Sequence, residues 1–195
     1  MDENRVVLDT DFISGITGYR DGDAADLFRR IFTTLEKVPV VHSFLAKYEL
    51  DRDPIAQTLL QEGFIQSISC DKLSVPAQMD GKAAYRDSFS DMYMRVKGDA
   101  LPEKTNIFMR KAKSSFGEIH SILLATELGI PLFYSNDSDA KVAAKAFSKG
   151  RLTIMNAIDV ASQLESSTSI DAKERKFLRN YYRRKKYDPK ERPTL

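Results

Sequence analysis

The chain has 195 residues, 42% of them hydrophobic and 30% charged, which is enough for one well-cored domain with an appendage and short for two. No apolar run approaches the roughly 20 residues of a membrane span, nothing at the start reads as a signal peptide, and the lone Cys70 excludes an internal disulfide or a cysteine-based zinc cluster, so the expectation is a cytoplasmic protein with no membrane association. The net charge of +2 is unevenly spread: residues 172–192 carry ten Lys and Arg against three Asp and Glu, leaving 20 basic and 25 acidic side chains elsewhere, which suggests a polyanionic partner held against a site that uses its carboxylates.

Arg5-Val6-Val7-Leu8 is a short apolar run without helical period and reads as the first strand of a central parallel sheet, ending in Asp9-Thr10-Asp11. Phe12 to Gly15 reads as a brief turn, and Asp23 to Lys37 as a helix through Leu27, Ile31 and Leu35. Val38 to Val41 is a second strand, and Ser43 is the expected cap of a helix from Phe44 to Leu50 that carries Glu49 back over the sheet end. Asp53-Pro54 opens a further helix closed by Gly63, and Phe64 to Ser69 is a third strand.

Ser74 and Pro76 start another helical stretch, in which Tyr85, Phe89, Met92, Tyr93 and Val96 form one apolar stripe, a core face or alternatively a dimer face or cleft wall. From Gly117 the sequence predicts a helix with Ile119, Ile122, Leu123 and Thr126 buried, Glu118 in its first turn, and a stop at Gly129 and Pro131. Gly117 lets another backbone or a substrate come close. Leu132 to Tyr134 is a strand ending in Ser135-Asn136-Asp137-Ser138-Asp139, with Asp139 the expected cap of a helix from Ala140 to Phe147. Leu152 to Met155 and the helix Ala157 to Leu164 complete a three-layer α/β/α body with a mostly parallel sheet. His42 and His120 show no ligand spacing and read as ordinary surface or core residues.

Asp9, Glu49, Glu118 and Asp137 each follow a strand or open a helix near one sheet edge, where open α/β sheets bind ligands. Taken singly, each could be a cap or a surface charge. Together they would repel one another and raise their own pKa values unless a cation neutralised them, and all-oxygen ligands favour Mg²⁺ or Mn²⁺. Such ions activate water and stabilise charge on a phosphodiester.

The motifs Val-Val-Leu-Asp9-Thr10-Asp11, Tyr48-Glu49-Leu50, Gly117-Glu118 with its Ser-Ile-Leu-Leu-Ala helix, and Phe-Tyr-Ser135-Asn136-Asp137 resemble, in order and approximate spacing over residues 5 to about 164, a PIN-domain nuclease. The resemblance implies metal-dependent cleavage of single-stranded nucleic acid, usually RNA, with Asp9, Glu49, Glu118 and Asp137 as catalytic metal ligands and Ser135 as a supporting hydroxyl. Asp11 stands where many members have Asn, and Asn136 where some have an additional Asp; with Asp139 these are secondary candidates. Toxin-type members imply an antitoxin or other regulatory protein as partner, and the family implies a homodimer. Two other readings remain open: a haloacid-dehalogenase-like phosphatase with Asp9 as nucleophile, in which Glu118 would have no task, and a PIN-like scaffold that only binds RNA.

These considerations divide the chain into a nuclease-like domain over residues 1–165 and a basic, aromatic extension over 166–195. In the extension, Phe177 with Tyr181 and Leu178 with Tyr182 are helix neighbours able to dock one face. Arg179, Arg183, Arg184, Lys185 and Lys186 are its expected nucleic-acid contacts, with tyrosines available to stack on unpaired bases.

Overall fold

The protein's architecture comes from a computed structural model that describes residues 3–69, 80–109, 115–148 and 150–187. Cys70, Ser74 and Pro76 lie outside the described residues. Five strands, β1 (Arg5–Leu8), β2 (Val38–His42), β3 (Gln66–Ile68), β4 (Leu132–Tyr134) and β5 (Thr153–Met155), form one sheet in the order β3-β2-β1-β4-β5, and every pairing is parallel. The order reverses at β1, since the chain builds outward from it in one direction through β3 and returns to its other side with β4. That reversal opens a crevice beyond the carboxyl ends of β1 and β4.

Side chains alternate across the sheet, so neighbouring residues of β1 serve different cores. Val6 and Leu8 pack in one apolar cluster with α1 (Thr10–Thr17), α2 (Ala24–Thr34), α4 (Pro54–Gln61), α8 (Ala157–Gln163) and α9 (Ala172–Tyr187). Val7 packs in the other, with α3 (Ser43–Tyr48), α5 (Asp80–Lys97), α6 (Phe116–Leu128) and α7 (Ser138–Phe147). The expected three-layer α/β/α arrangement is therefore present. Among the described residues no helix is long and apolar enough to cross a membrane.

Several local expectations are corrected. Phe12 to Gly15 is not a turn but the middle of α1, because Phe12, Ile13 and Ile16 share a helix face that is buried in the core. The cap of α3 is His42, not Ser43, its Nδ1 accepting from the Phe44 N–H at 3.0 Å, and Glu49 is the residue that ends this helix rather than one inside it. Thr126 is exposed, with its hydroxyl bonded to the Ile122 carbonyl, and the rest of α6 from Ile119 to Ala125 is buried all round instead of along one stripe. α7 begins at Ser138, two residues before the expected start, so Asp139 lies within it and is not its cap; the Asp139 side chain falls outside the described residues.

The apolar stripe of α5 is core: Tyr85, Phe89 and Met92 are buried against α6. α9 is docked as well. Its Leu178 is buried, its Phe177 ring meets Tyr19 at 4.8 Å, and Glu174 is buried in an ion pair with Arg30 at 2.6 Å. Arg175 turns back onto the carbonyls of Ser167 and Ile170, tying the start of α9 to the loop before it.

Candidate functional site

The parallel sheet sends the ends of β1, β2 and β4 to one edge, and each delivers polar residues there. Asp9 follows β1 directly, with its backbone N–H held by the Tyr134 carbonyl of β4 at 3.0 Å. Its side chain is 4% exposed and accepts a hydrogen bond from the Ser135 hydroxyl at 2.8 Å. Ser135 is itself buried and accepts from the Asp137 N–H at 3.1 Å, so one hydroxyl couples the first acid to the loop that carries the last.

Glu49 arrives from the end of α3 and is fixed by Thr10, whose hydroxyl donates to Glu49 Oε2 at 2.5 Å. The carboxylate lies over Gly117, where an added Cβ would stand 2.6 Å from Glu49 Oε1. What comes close to the glycine is the Glu49 side chain, not another backbone or a substrate, and a side chain at position 117 would displace it. Ser115, immediately before α6, has a positive φ of 53°, a conformation costing a non-glycine residue about 1 kcal/mol. Glu118 follows in the first turn of α6.

Electrostatics show that the acids share one space. Burial raises the affinity of Asp9 for a proton well above that of an ordinary carboxyl, Glu118, Asp11 and Glu49 add repulsion, and the Ser135 hydrogen bond opposes them. Glu118 is pushed up to about 7, first by burial and then by the charges of Asp137 and Glu49, against the helix N-terminal backbone and Lys97. Glu49, Glu118 and Asp137 therefore each act on Asp9 or Glu118. Asp11 contributes to the same field, and Tyr181 of α9 places its hydroxyl 3.4 Å from Asp11 Oδ1 while its ring covers Gly15.

Other candidates are engaged elsewhere. Asn136 accepts from the Ala157 N–H at 2.9 Å and so anchors the start of α8. Arg179 pairs with Glu165 at 3.0 Å. The side chains of Arg183, Arg184, Lys185 and Lys186 fall outside the described residues. His42 and His120 are core residues, stacked with ring centroids 4.4 Å apart, and His120 Nδ1 lies 2.6 Å from the Tyr85 hydroxyl.

The donor chemistry of the acid edge fits a hard divalent cation: carboxylates only, supported by two hydroxyls, with two members driven toward protonation. As the side chains stand, no three His, Cys, Asp or Glu residues among those described are grouped tightly enough to hold an ion. Sequence reasoning assigned no task to Thr10 or Lys97, and it gave Tyr181 a docking or stacking role without placing it beside Asp11. Thr10 could have been noticed as a hydroxyl directly after the strand acid, whereas nothing local marks Lys97.

The fold and this edge define the class: an α/β protein with a five-stranded parallel sheet and an acidic crevice at its reversal point. No family model, curated protein or solved structure matches the chain.

Proposed function

We propose that the protein is a PIN-like, divalent-metal-dependent endonuclease that hydrolyses phosphodiester bonds of single-stranded RNA. The observation that carries this reading is the delivery of Asp9, Glu49, Glu118 and Asp137 to one sheet edge, where burial first and the neighbouring carboxylates second raise the proton affinity of Asp9 and Glu118. Proteins do not ordinarily leave a buried carboxylate such as Asp9 beside half-buried ones such as Glu49 and Glu118 without a compensating charge.

Asp9, Glu49, Glu118 and Asp137 would hold Mg²⁺ or Mn²⁺. Once bound, the ion supplies an acidified water and stabilises negative charge on the phosphodiester in flight. The chain's own contribution is placement. Ser135 fixes the Asp9 carboxylate and the Asp137 backbone together, Thr10 fixes Glu49, and Gly117 leaves room for it. The phosphatase reading leaves Glu118 without work, although burial and the charges of Asp137 and Glu49 push it up to about 7.

Purified protein incubated with labelled single-stranded RNA or DNA in Mn²⁺, Mg²⁺ or EDTA, beside an Asp9→Asn/Glu118→Gln double variant, tests this. Cleavage of RNA that needs metal and disappears in the variant is expected. Hydrolysis of a phosphomonoester by both wild type and Glu118→Gln, with no RNA cleavage, would replace the nuclease by the phosphatase.

A further inference from the structure

α9 runs antiparallel along α1, and the contacts between them advance in step. Lys173 pairs with Asp21 just beyond the end of α1 at 3.5 Å, Phe177 meets Tyr19, and Tyr181 covers Gly15 and reaches Asp11 near the start of α1. Each turn of α9 therefore climbs toward the sheet edge that carries the acids. The helix continues to Tyr187, six residues past Tyr181, or about 9 Å at 1.5 Å per residue. Its basic run, Arg183 to Lys186, occupies this last stretch.

Along the same line lies a cavity of about 280 Å³ bordered by Asp21, Lys173, Lys176, Phe177, Asn180 and Tyr181. Residues 173, 176 and 180 are spaced for one helix face, and the sequence continues that spacing to Arg184. Lys176 is exposed and makes no ion pair among the described residues, unlike Lys173 and Arg179. The groove thus joins a cation, an amide and a tyrosine ring in a line that ends at the acidic crevice.

We propose that this α9 groove is the approach track for the single-stranded RNA, with Lys176 and Asn180 on the sugar-phosphate backbone and Tyr181 as the step between the track and the acids. The proposal rests on the nuclease reading, whose acids it supplies with substrate. A cationic groove with an aromatic platform matches unpaired nucleic acid, because a backbone charge and a base face are available at each nucleotide. A duplex, its base faces already stacked, would gain nothing from Tyr181.

Binding is separable from cleavage, so the test is fluorescence anisotropy of the full chain with a labelled single-stranded RNA in EDTA across a salt series. Wild type should bind single strands in preference to duplex. Lys176→Ala should lower the slope of log affinity against log salt by about 0.7, the loss of one single-strand phosphate contact, and Lys176→Glu/Asn180→Ala should weaken binding further with an unchanged melting temperature. In Mn²⁺ the same double variant should raise KM by a larger factor than it lowers kcat. Unchanged affinity and salt slope in these variants, or equal binding of duplex, overturns the track even if wild type cleaves RNA. Absence of cleavage by wild type with salt-dependent binding lost in the variants overturns the nuclease and leaves the track standing.

Discussion

Glu118→Gln should make the metal-free protein more stable at neutral pH while abolishing its activity. Glu118 titrates near 7 in the folded protein and near 4.5 when unconstrained, so between these values the folded state holds more proton than the unfolded state. For such an acid, stability is fully present below about 4.5 and is lost as pH rises through 7. At about 1.4 kcal/mol per pH unit the interval corresponds to about 3 kcal/mol, and screening of a partly exposed carboxylate reduces this to roughly 2 kcal/mol. The buried histidines act in the opposite sense. His42 and His120 are held by burial down to about 2 and about 4 against an ordinary value of 6.5, so each adds stability as pH rises toward 6.5. Subtraction separates the two effects, since wild type and Glu118→Gln share the histidines. Urea denaturation in EDTA at intervals from pH 4.5 to 8 should show the variant gaining up to roughly 2 kcal/mol over wild type as pH increases, with Mn²⁺ closing the gap by stabilising wild type alone. A difference that stays flat across this range, or that grows in the acidic direction, would refute the claim that burial and the neighbouring carboxylates raise the proton affinity of Glu118.

Ser135→Ala removes the buried donor to Asp9 and the acceptor of the Asp137 N–H, so a loss of about 1–3 kcal/mol is expected in denaturation, together with reduced RNA cleavage; activity retained at the wild-type level would deny Ser135 its positioning role. Gly117→Ala places a methyl group 2.6 Å from Glu49 Oε1, and displacement of that carboxylate should weaken Mn²⁺-dependent stabilisation and cleavage about 10- to 100-fold while the metal-free melting temperature holds, as thermal shift with and without Mn²⁺ would show. Leu178→Ala should cost about 2–5 kcal/mol because Leu178 is buried in the same core as α1 and α8; a loss below 1 kcal/mol in urea denaturation would mean that α9 is not docked.

The central sheet was legible where its strands are short apolar runs, as in β1, β2 and β4, and Val6, Val7 and Leu8 need burial on both faces whatever surrounds them. The acids were legible for the same reason: a parallel sheet fixes which edge follows each strand, so Asp9 and Asp137 could be placed without knowing a single contact. Local reading failed where tertiary burial overruled local preference. Phe12 to Gly15 contains a β-branched residue and a glycine, both poor helix formers, yet the buried face of α1 outweighs that preference. It failed again where a partner came from far along the chain, as with Arg30 and Glu174, Glu49 over Gly117, and Tyr181 beside Asp11. No periodicity within a segment encodes those meetings.

The two faces of α6 show how the charge at the acidic edge is left uncompensated. Glu118 opens the helix toward the acids, and His120, two residues on, is buried behind it among Tyr85, His42 and Phe89. Burial keeps both imidazoles neutral, with Tyr85 and the Ile107 carbonyl satisfying His120. The apolar core thus withholds a positive charge that the sequence could have supplied. Lys97 offsets part of the repulsion at Glu118, and burial together with the repulsion that remains raises the proton affinity of Asp9 and Glu118. The remainder can be met by protons at low pH or by a cation from solution at neutral pH, and a site that is to exchange one for the other must not be neutralised from within.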